Sequence, residues 1–392
     1  MKNIVGQTPR GKDYFQRDYL IKRIYRRLEA GNNIFISAPR RVGKTSIMRH
    51  LQDKARKDYH FIYIITESID NSEDYFRKLL EELLRSKVIK QITKISEQSK
   101  NLISNILDRL KSLSIAGLVE FELNGGQASS YQKEFEKLLN KLETKDLQIV
   151  IMVDEFPQTV ENIRIKSGNE FALEFLRINR EQRQQANAQI KFMLTGSIGL
   201  PVIVKKLGSL QLINDLNMVE IPPLNEEEAT EMTQRLLRNY GVKYSQAVIP
   251  YLLKKLHWLI PFHIQLAAQE IIDIHEITGS TLGPQSIDQA FERIANHRND
   301  IYFDSYYSRL SQGFHGKTLE FVLLLLKSLA QQNVIKRTKL KELAQTLEIE
   351  GELNQILDSL MYDGYINNHL NSQEYRFNSS ILKLWWQKYR AN

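Results

Sequence analysis

The stretch Ile34-Phe35-Ile36-Ser37-Ala38-Pro39-Arg40-Arg41-Val42-Gly43-Lys44-Thr45-Ser46 constrains the fold of this chain more than any other part of it. An apolar run gives way to a loop that closes on Gly43-Lys44-Thr45. A helical spacing of apolar residues follows at Ile47, Met48 and Leu51. Strand, glycine loop and helix in that order are what a phosphate-binding loop requires. Successive backbone N–H groups at a helix start make a nest for anionic oxygens. Pro39 through Ser46 are therefore candidates for holding a nucleotide. Lys44 would reach the β- and γ-phosphates, and the Thr45 hydroxyl would hold Mg²⁺. The first position of the pattern is Ala38 where glycine is usual, a change that affects turn geometry more than charge. From this stretch alone, a chance Gly-Lys-Thr in a surface turn stays open.

With 392 residues the chain can bury two or three cores. Having no cysteine, it can use neither disulfides nor thiolate nucleophiles nor cysteine-ligated metal. Met1 to Phe15 lacks the apolar core of a secretory signal, and the run Phe321 to Leu326 is far too short to cross a bilayer. A cytoplasmic protein without a membrane segment is expected. The net charge of +8 invites a nucleic-acid reading. Its location weakens that reading: residues 1–60 hold 15 Lys+Arg against 5 Asp+Glu, whereas residues 301–392 hold 11 against 9.

Further buried strands are predicted at His60 to Thr66, Leu147 to Val153, Gln189 to Leu194 and Leu216 to Ile221. Asn71 to Leu84 reads as a helix capped by Asn71 or Ser72. Residues 85–130 read as an insertion of helix plus hairpin, its strand-like piece Leu118 to Leu123 ending at Asn124-Gly125-Gly126. The strand Leu147 to Val153 ends in Asp154-Glu155. Asp154 would bind Mg²⁺ through water and Glu155 would polarise an attacking water. Two solvated carboxylates are the alternative, weakened because open α/β sheets bind ligands at such strand ends. Thr195 and Ser197, after the next strand, are candidates to bond the γ-phosphate or the attacking water. On the helix Asn169 to Gln185, Arg177, Arg180 and Arg183 recur every three residues. An arginine finger is one use for them, and an exposed basic stripe along one face is the use the pattern favours.

From Asn225 the pattern turns all-helical, with Leu259-Ile260-Pro261 just before one helix. Residues 316–392 have the order of a winged helix: three helices, a hairpin around Asn371-Ser372, and a closing helix. The third helix carries Glu352, Asp358 and Asp363 and no Lys or Arg, which phosphates would repel. Lys336, Arg337, Lys339 and Lys341 precede it and could touch a nucleic-acid backbone. The expected division is a core at 1–223, a helical lid at 224–299, and a linker helix with winged helix at 300–392.

Together these features resemble the AAA+-related signal-transduction ATPases with numerous domains, the STAND group, and within it the small prokaryotic AAA-like ATPases near the archaeal Orc/Cdc6-like branch. Phe15-Gln16-Arg17-Asp18 resembles that family's N-terminal phenylalanine-glycine-arginine-glutamate signature, with Gln16 in place of the glycine. By resemblance Arg17 lies by the adenine and phosphates. Thr195-Gly196-Ser197 is similar to the sensor-1 strand end. Leu259-Ile260-Pro261 is similar to the Gly-x-Pro element that brings a proline, here Pro261, near the base. The resemblance implies an α/β P-loop NTPase core with a five-stranded parallel sheet, in which the strand ending in Thr195 lies between those bearing Lys44 and Asp154. An all-α lid and a winged helix follow it. It also implies ATP/ADP and Mg²⁺ as cofactors, slow hydrolysis, and a closed ADP state against an open or assembled ATP state. Two functions remain at this stage: a switch acting through a protein partner or self-assembly, and an ATP-regulated DNA-binding protein.

Overall fold

The computed structural model describes residues 1–116, 130–144, 146–296 and 299–391. The described chain packs as two compact units. One comprises Gln16–Ser37 and Ile47–Ile221; the other comprises Met1–Phe15, Ala38–Ser46 and the chain from Pro222 on.

The first unit is a parallel sheet between helices. Its elements run α1 (Asp18–Glu29), β1 (Asn33–Ser37), α2 (Lys44–Asp53, in this unit from Ile47 on), β2 (Tyr59–Ile65), α3 (Ser72–Arg85), α4 (Lys87–Ile95), α5 (Glu97–Ala116), α6 (Tyr131–Lys141), β3 (Gln148–Asp154), α7 (Phe156–Ser167), α8 (Asn169–Gln185), β4 (Ile190–Thr195), α9 (Leu200–Lys206) and β5 (Leu216–Glu220). The strand order is β2-β3-β4-β1-β5, every pair parallel. As expected, the strand ending in Thr195 lies between the strand ending in Asp154 and the one that leads to Lys44. Ile149 to Val153 are all fully buried, which is why β3 reads as an unbroken apolar run rather than an alternating one. One face of the sheet buries Phe35, Ile62, Ile64, Ile151, Val153 and Leu194 against Phe76, Leu79 and Leu80 of α3 and Phe175 of α8.

Local chemistry sets the helix starts. The Asn71 side chain accepts from Asp74 N at 2.8 Å, so Asn71 rather than Ser72 caps α3. Ser130 caps α6 in the same way. Helices α4 and α5 occupy the helical part of the expected insertion; its hairpin, with Asn124-Gly125-Gly126, lies outside the described residues.

Past Pro222 come α10 (Glu226–Asn239), α11 (Val248–Leu256), α12 (Pro261–Thr278), α13 (Pro284–Ile294), α14 (Asp300–Gly313) and α15 (Gly316–Gln332). Then follow β6 (Ile335–Lys336), α16 (Arg337–Thr346), α17 (Leu353–Tyr362), β7 (Ile366–Asn367), β8 (Glu374–Phe377) and α18 (Ser380–Tyr389). A capping box of Asn225 and Glu228 starts α10. The last three strands form a small antiparallel sheet in the order β6-β8-β7, pairing Ile335 with Tyr375 and Ile366 with Phe377. Phe321, Leu325, Leu326 and Leu329 of α15, Leu357 and Leu360 of α17, and Trp385 and Trp386 of α18 are buried. Among the described residues no helix is long and apolar enough to cross a membrane.

Candidate functional site

The loop after β1 begins with Ala38, which is buried and, unlike Arg41 and Gly43, has no positive φ. The position therefore does not need the conformational freedom of glycine, which explains why alanine serves there. Its carbonyl accepts from Lys44 Nζ at 2.8 Å, as does that of Pro39 at 2.8 Å. The lysine ammonium is thus curled over its own loop, and Lys44 is nearly fully buried. Positive φ occurs at Arg41 (64°) and Gly43 (102°). At Gly43 no atom lies within 4 Å of a would-be Cβ, so backbone conformation and not crowding calls for glycine there. Val42 and Ser46 are buried, Pro39, Arg40 and Thr45 partly so. Helix α2 starts at Lys44, so its first turn follows directly on the loop.

Two strand ends, β3 and β4, carry the carboxylates and hydroxyls. Register places them together: Val153 pairs with Leu194, and Ile36 of β1 pairs with Thr195. Asp154 is 4% exposed and accepts from Tyr63 Oη at 2.5 Å through Oδ2 and from Glu155 N at 3.1 Å through Oδ1. The guanidinium of Arg49 lies over the Tyr63 ring at 3.6 Å. Glu155 sits in the left-handed region, φ 62° and ψ 30°, at the start of α7. Its Oε2 accepts from Ser197 N at 2.8 Å and from Ser197 Oγ at 2.7 Å. Thr195 Oγ1 donates to the carbonyl of Ile36 at 3.2 Å. Between them Gly196 has no room for a side chain, since a Cβ would fall 2.5 Å from Pro157 Cδ. The result is a rigid acidic tip: one carboxylate buttressed by a phenol, the other clasped by the loop of the next strand.

Residues 14–247, more than half of the chain, match the model of an ATPase domain found predominantly in Archaea. The chain belongs to that family. Among curated proteins, none matches it. Among solved structures it resembles a Walker-type ATPase of Pyrococcus abyssi, with a TM-score of 0.63 at 17% identity over 98% of this chain and 99% of that one. It also resembles the ORC2 protein of Aeropyrum pernix, solved as ADPNP–ADP complexes, with a TM-score of 0.50 at 13% identity over 94% of this chain and 90% of that one. The fold is thus that of a P-loop ATPase of the Orc/Cdc6 kind, as the sequence leads one to expect.

In this ATPase, Asp154, Glu155, Thr195 and Ser197 gather at one end of the sheet within the first unit, while Pro39 to Ser46 and Pro261 belong to the second. Arg17 is buried in the first unit, its guanidinium bonded to the Tyr19 hydroxyl and lying near that ring. Pro261 is in the first turn of α12, where a missing N–H costs nothing. The three arginines of α8 do not share a face, contrary to the expected stripe. Positions three apart drift by about 60° per step on a 3.6-residue turn, and the drift decides their fates. Arg177 is exposed beside Glu174. The Nε atom of Arg180 is buried without a hydrogen-bond partner. Arg183 is buried in a bidentate pair with Asp215, at 2.6 and 2.8 Å, and so holds α8 to the segment before β5. Sequence reasoning missed Tyr63, Arg49 and Pro157; the only trace of their roles is that Tyr63 stands in the strand beside β3.

Proposed function

We propose that this ATPase domain belongs to a Mg²⁺-dependent, ATP-binding switch that hydrolyses slowly and acts through a protein partner or self-assembly. The observation that carries the reading is the Glu155 carboxylate clasped by Ser197 N and Oγ at the tip of β3, on a chain whose β1 runs into a phosphate loop. A carboxylate at that place suits a general base for water. Lys44, bonded to two loop carbonyls, has a positive head that incoming phosphate oxygens can take over. The Thr45 hydroxyl and the Asp154 carboxylate are hard oxygen donors of the kind Mg²⁺ accepts alongside phosphates and water, and bound Mg²⁺ would neutralise charge developing on the phosphates. Adenine nucleotides are supported by the ADPNP and ADP bound in the Aeropyrum relative.

The C-terminal module, read as a winged helix, suits a protein contact better than DNA. Arg337, one of its candidate phosphate contacts, is bonded to Tyr375 Oη at 2.6 Å and to Asn354, and Lys339 is paired with Glu342. The test starts with freshly purified protein, denatured and its released nucleotide identified by chromatography. ADP near one per chain supports a closed switch. Lys44→Ala is expected to abolish nucleotide binding, and Glu155→Gln to keep binding while stopping turnover. Tight ATP binding by the Lys44 variant would overturn the reading.

A further inference from the structure

Arg41 leaves the phosphate loop and enters an aromatic cage. Its guanidinium carbon lies 4.0 Å from the centroid of the Phe262 ring, 5.5 Å from that of Tyr306 and 5.6 Å from that of Tyr302. Phe262 is in the first turn of α12; Tyr302 and Tyr306 are one turn apart on α14. Arg41 Nη1 is buried with no hydrogen-bond partner, and burial pulls the guanidinium below its usual pKa. Its backbone holds φ 64° without being glycine. A non-glycine residue stays in that region only where its surroundings over-determine it, and here the rings do so.

The same loop is gripped a second time. At Gly364, in the turn after α17, a Cβ would lie 2.6 Å from Trp258 Cη2 and 3.1 Å from Pro39 Cβ. The next residue, Tyr365, donates from its hydroxyl to the Tyr306 carbonyl at 2.6 Å, the two rings meeting edge to face. Pro39 and Arg41 are thus held by two surfaces that are bonded to each other through Tyr365 and Tyr306. All of these residues lie within one compact unit.

We propose that Arg41 and this cage couple the phosphate loop to the C-terminal module, so that the state of the loop and the seating of the α17–β7 turn report on each other. Such coupling is reciprocal: whatever fixes the loop also tightens the module, and loosening the module frees the loop. The inference takes the loop to be the nucleotide site proposed above, but its first test needs no nucleotide.

Amide hydrogen exchange of the loop peptide is measured by mass spectrometry on the full chain, nucleotide-free, for the wild type, Tyr365→Phe and Phe262→Ala. Tyr365→Phe removes one hydroxyl far from the loop in sequence and is expected to raise exchange of the loop amides about threefold. Phe262→Ala, which takes away the ring nearest the guanidinium, is expected to raise it about tenfold. Loop exchange equal to wild type in both variants, with exchange raised only around the mutated residue, would overturn the proposal. A second arm adds ADP to the wild type and to Arg41→Gly, a change the positive φ tolerates. The peptide spanning α17 and β7 should gain protection in the wild type and little in the variant. Equal gains in both would again overturn the coupling. Failure of ADP to bind either protein would instead strike the nucleotide reading and leave the first arm standing.

Discussion

Gly196→Ala is the sharpest single test of the acidic tip. The backbone at this glycine does not have positive φ, so alanine is acceptable to the main chain. The obstacle is Pro157: the new Cβ would lie 2.5 Å from its Cδ and 2.8 Å from its Cγ, and 3.5 Å from Glu155 Oε2. Carbon atoms rest at about 3.5–4.0 Å, so the overlap is about 1 Å at two atoms. A proline ring in the first turn of α7 cannot rotate aside. Relief requires either α7 or the end of β4 to move, and overpacking of this kind costs about 1–3 kcal/mol. At about 2–4 °C per kcal/mol for a unit of this size, the melting temperature should fall by about 2–12 °C. The same movement pulls on the bonds from Ser197 to Glu155 Oε2. Turnover should therefore fall about tenfold or more while nucleotide binding survives. Calorimetry and phosphate release at saturating Mg²⁺ and ATP read the two effects separately. A variant that melts with the wild type and turns over at its rate would refute the steric argument.

Tyr63→Phe removes the phenol that bonds the buried Asp154 carboxylate at 2.5 Å. Bonds to charged groups contribute about 1.5–3 kcal/mol, so the urea midpoint should drop by that equivalent at an unchanged m-value. An unshifted midpoint would show that the bond contributes nothing net. His263 is fully buried against Trp258, and burial pushes its pKa down to about 3. Below its ordinary value of 6.5 the unfolded chain takes up a proton that the folded one refuses, so the folded state loses stability as the pH falls from there toward 3. The loss attributable to this group is about 1.4 kcal/mol per pH unit, or about 2 kcal/mol between pH 6.5 and 5. Denaturation curves for the wild type and His263→Gln should diverge by that amount over this range, the variant being the less acid-sensitive; parallel curves would rule it out.

The middle of the sheet was legible because β1, β3 and β4 are buried along nearly their whole length and so read as mainly apolar runs, and because parallel order leaves few arrangements once a phosphate loop is placed; the edge strand β5 leaves Met218 exposed. Helices α7 and α9 were harder to see. Each carries a proline in its first two positions, Pro157 and Pro201. In a single sequence a proline reads as a breaker, yet at a helix start its missing N–H costs nothing and its fixed φ suits the helix. The arginine stripe on α8 was misread for a related reason. A spacing of three suggests one face over a single turn but drifts around the helix over three, which carried Arg183 inward to Asp215.

In the site, what the sequence disclosed was local and what it concealed was register. The phosphate loop is contiguous, and Asp154-Glu155 marks its own strand end, so both can be found by reading along the chain. Tyr63 cannot be found that way, because it lies 91 residues from Asp154. Once β2 is placed beside β3 in parallel, Tyr63 pairs with Met152. Side chains two apart on a strand share a face, so Asp154 stands on the same side as Met152 and within diagonal reach of the tyrosine hydroxyl. A one-residue slip of that pairing would turn Tyr63 to the other face and leave the Asp154 carboxylate without its phenol. The chemistry of the acidic tip therefore depends on strand register as much as on the identity of its carboxylates.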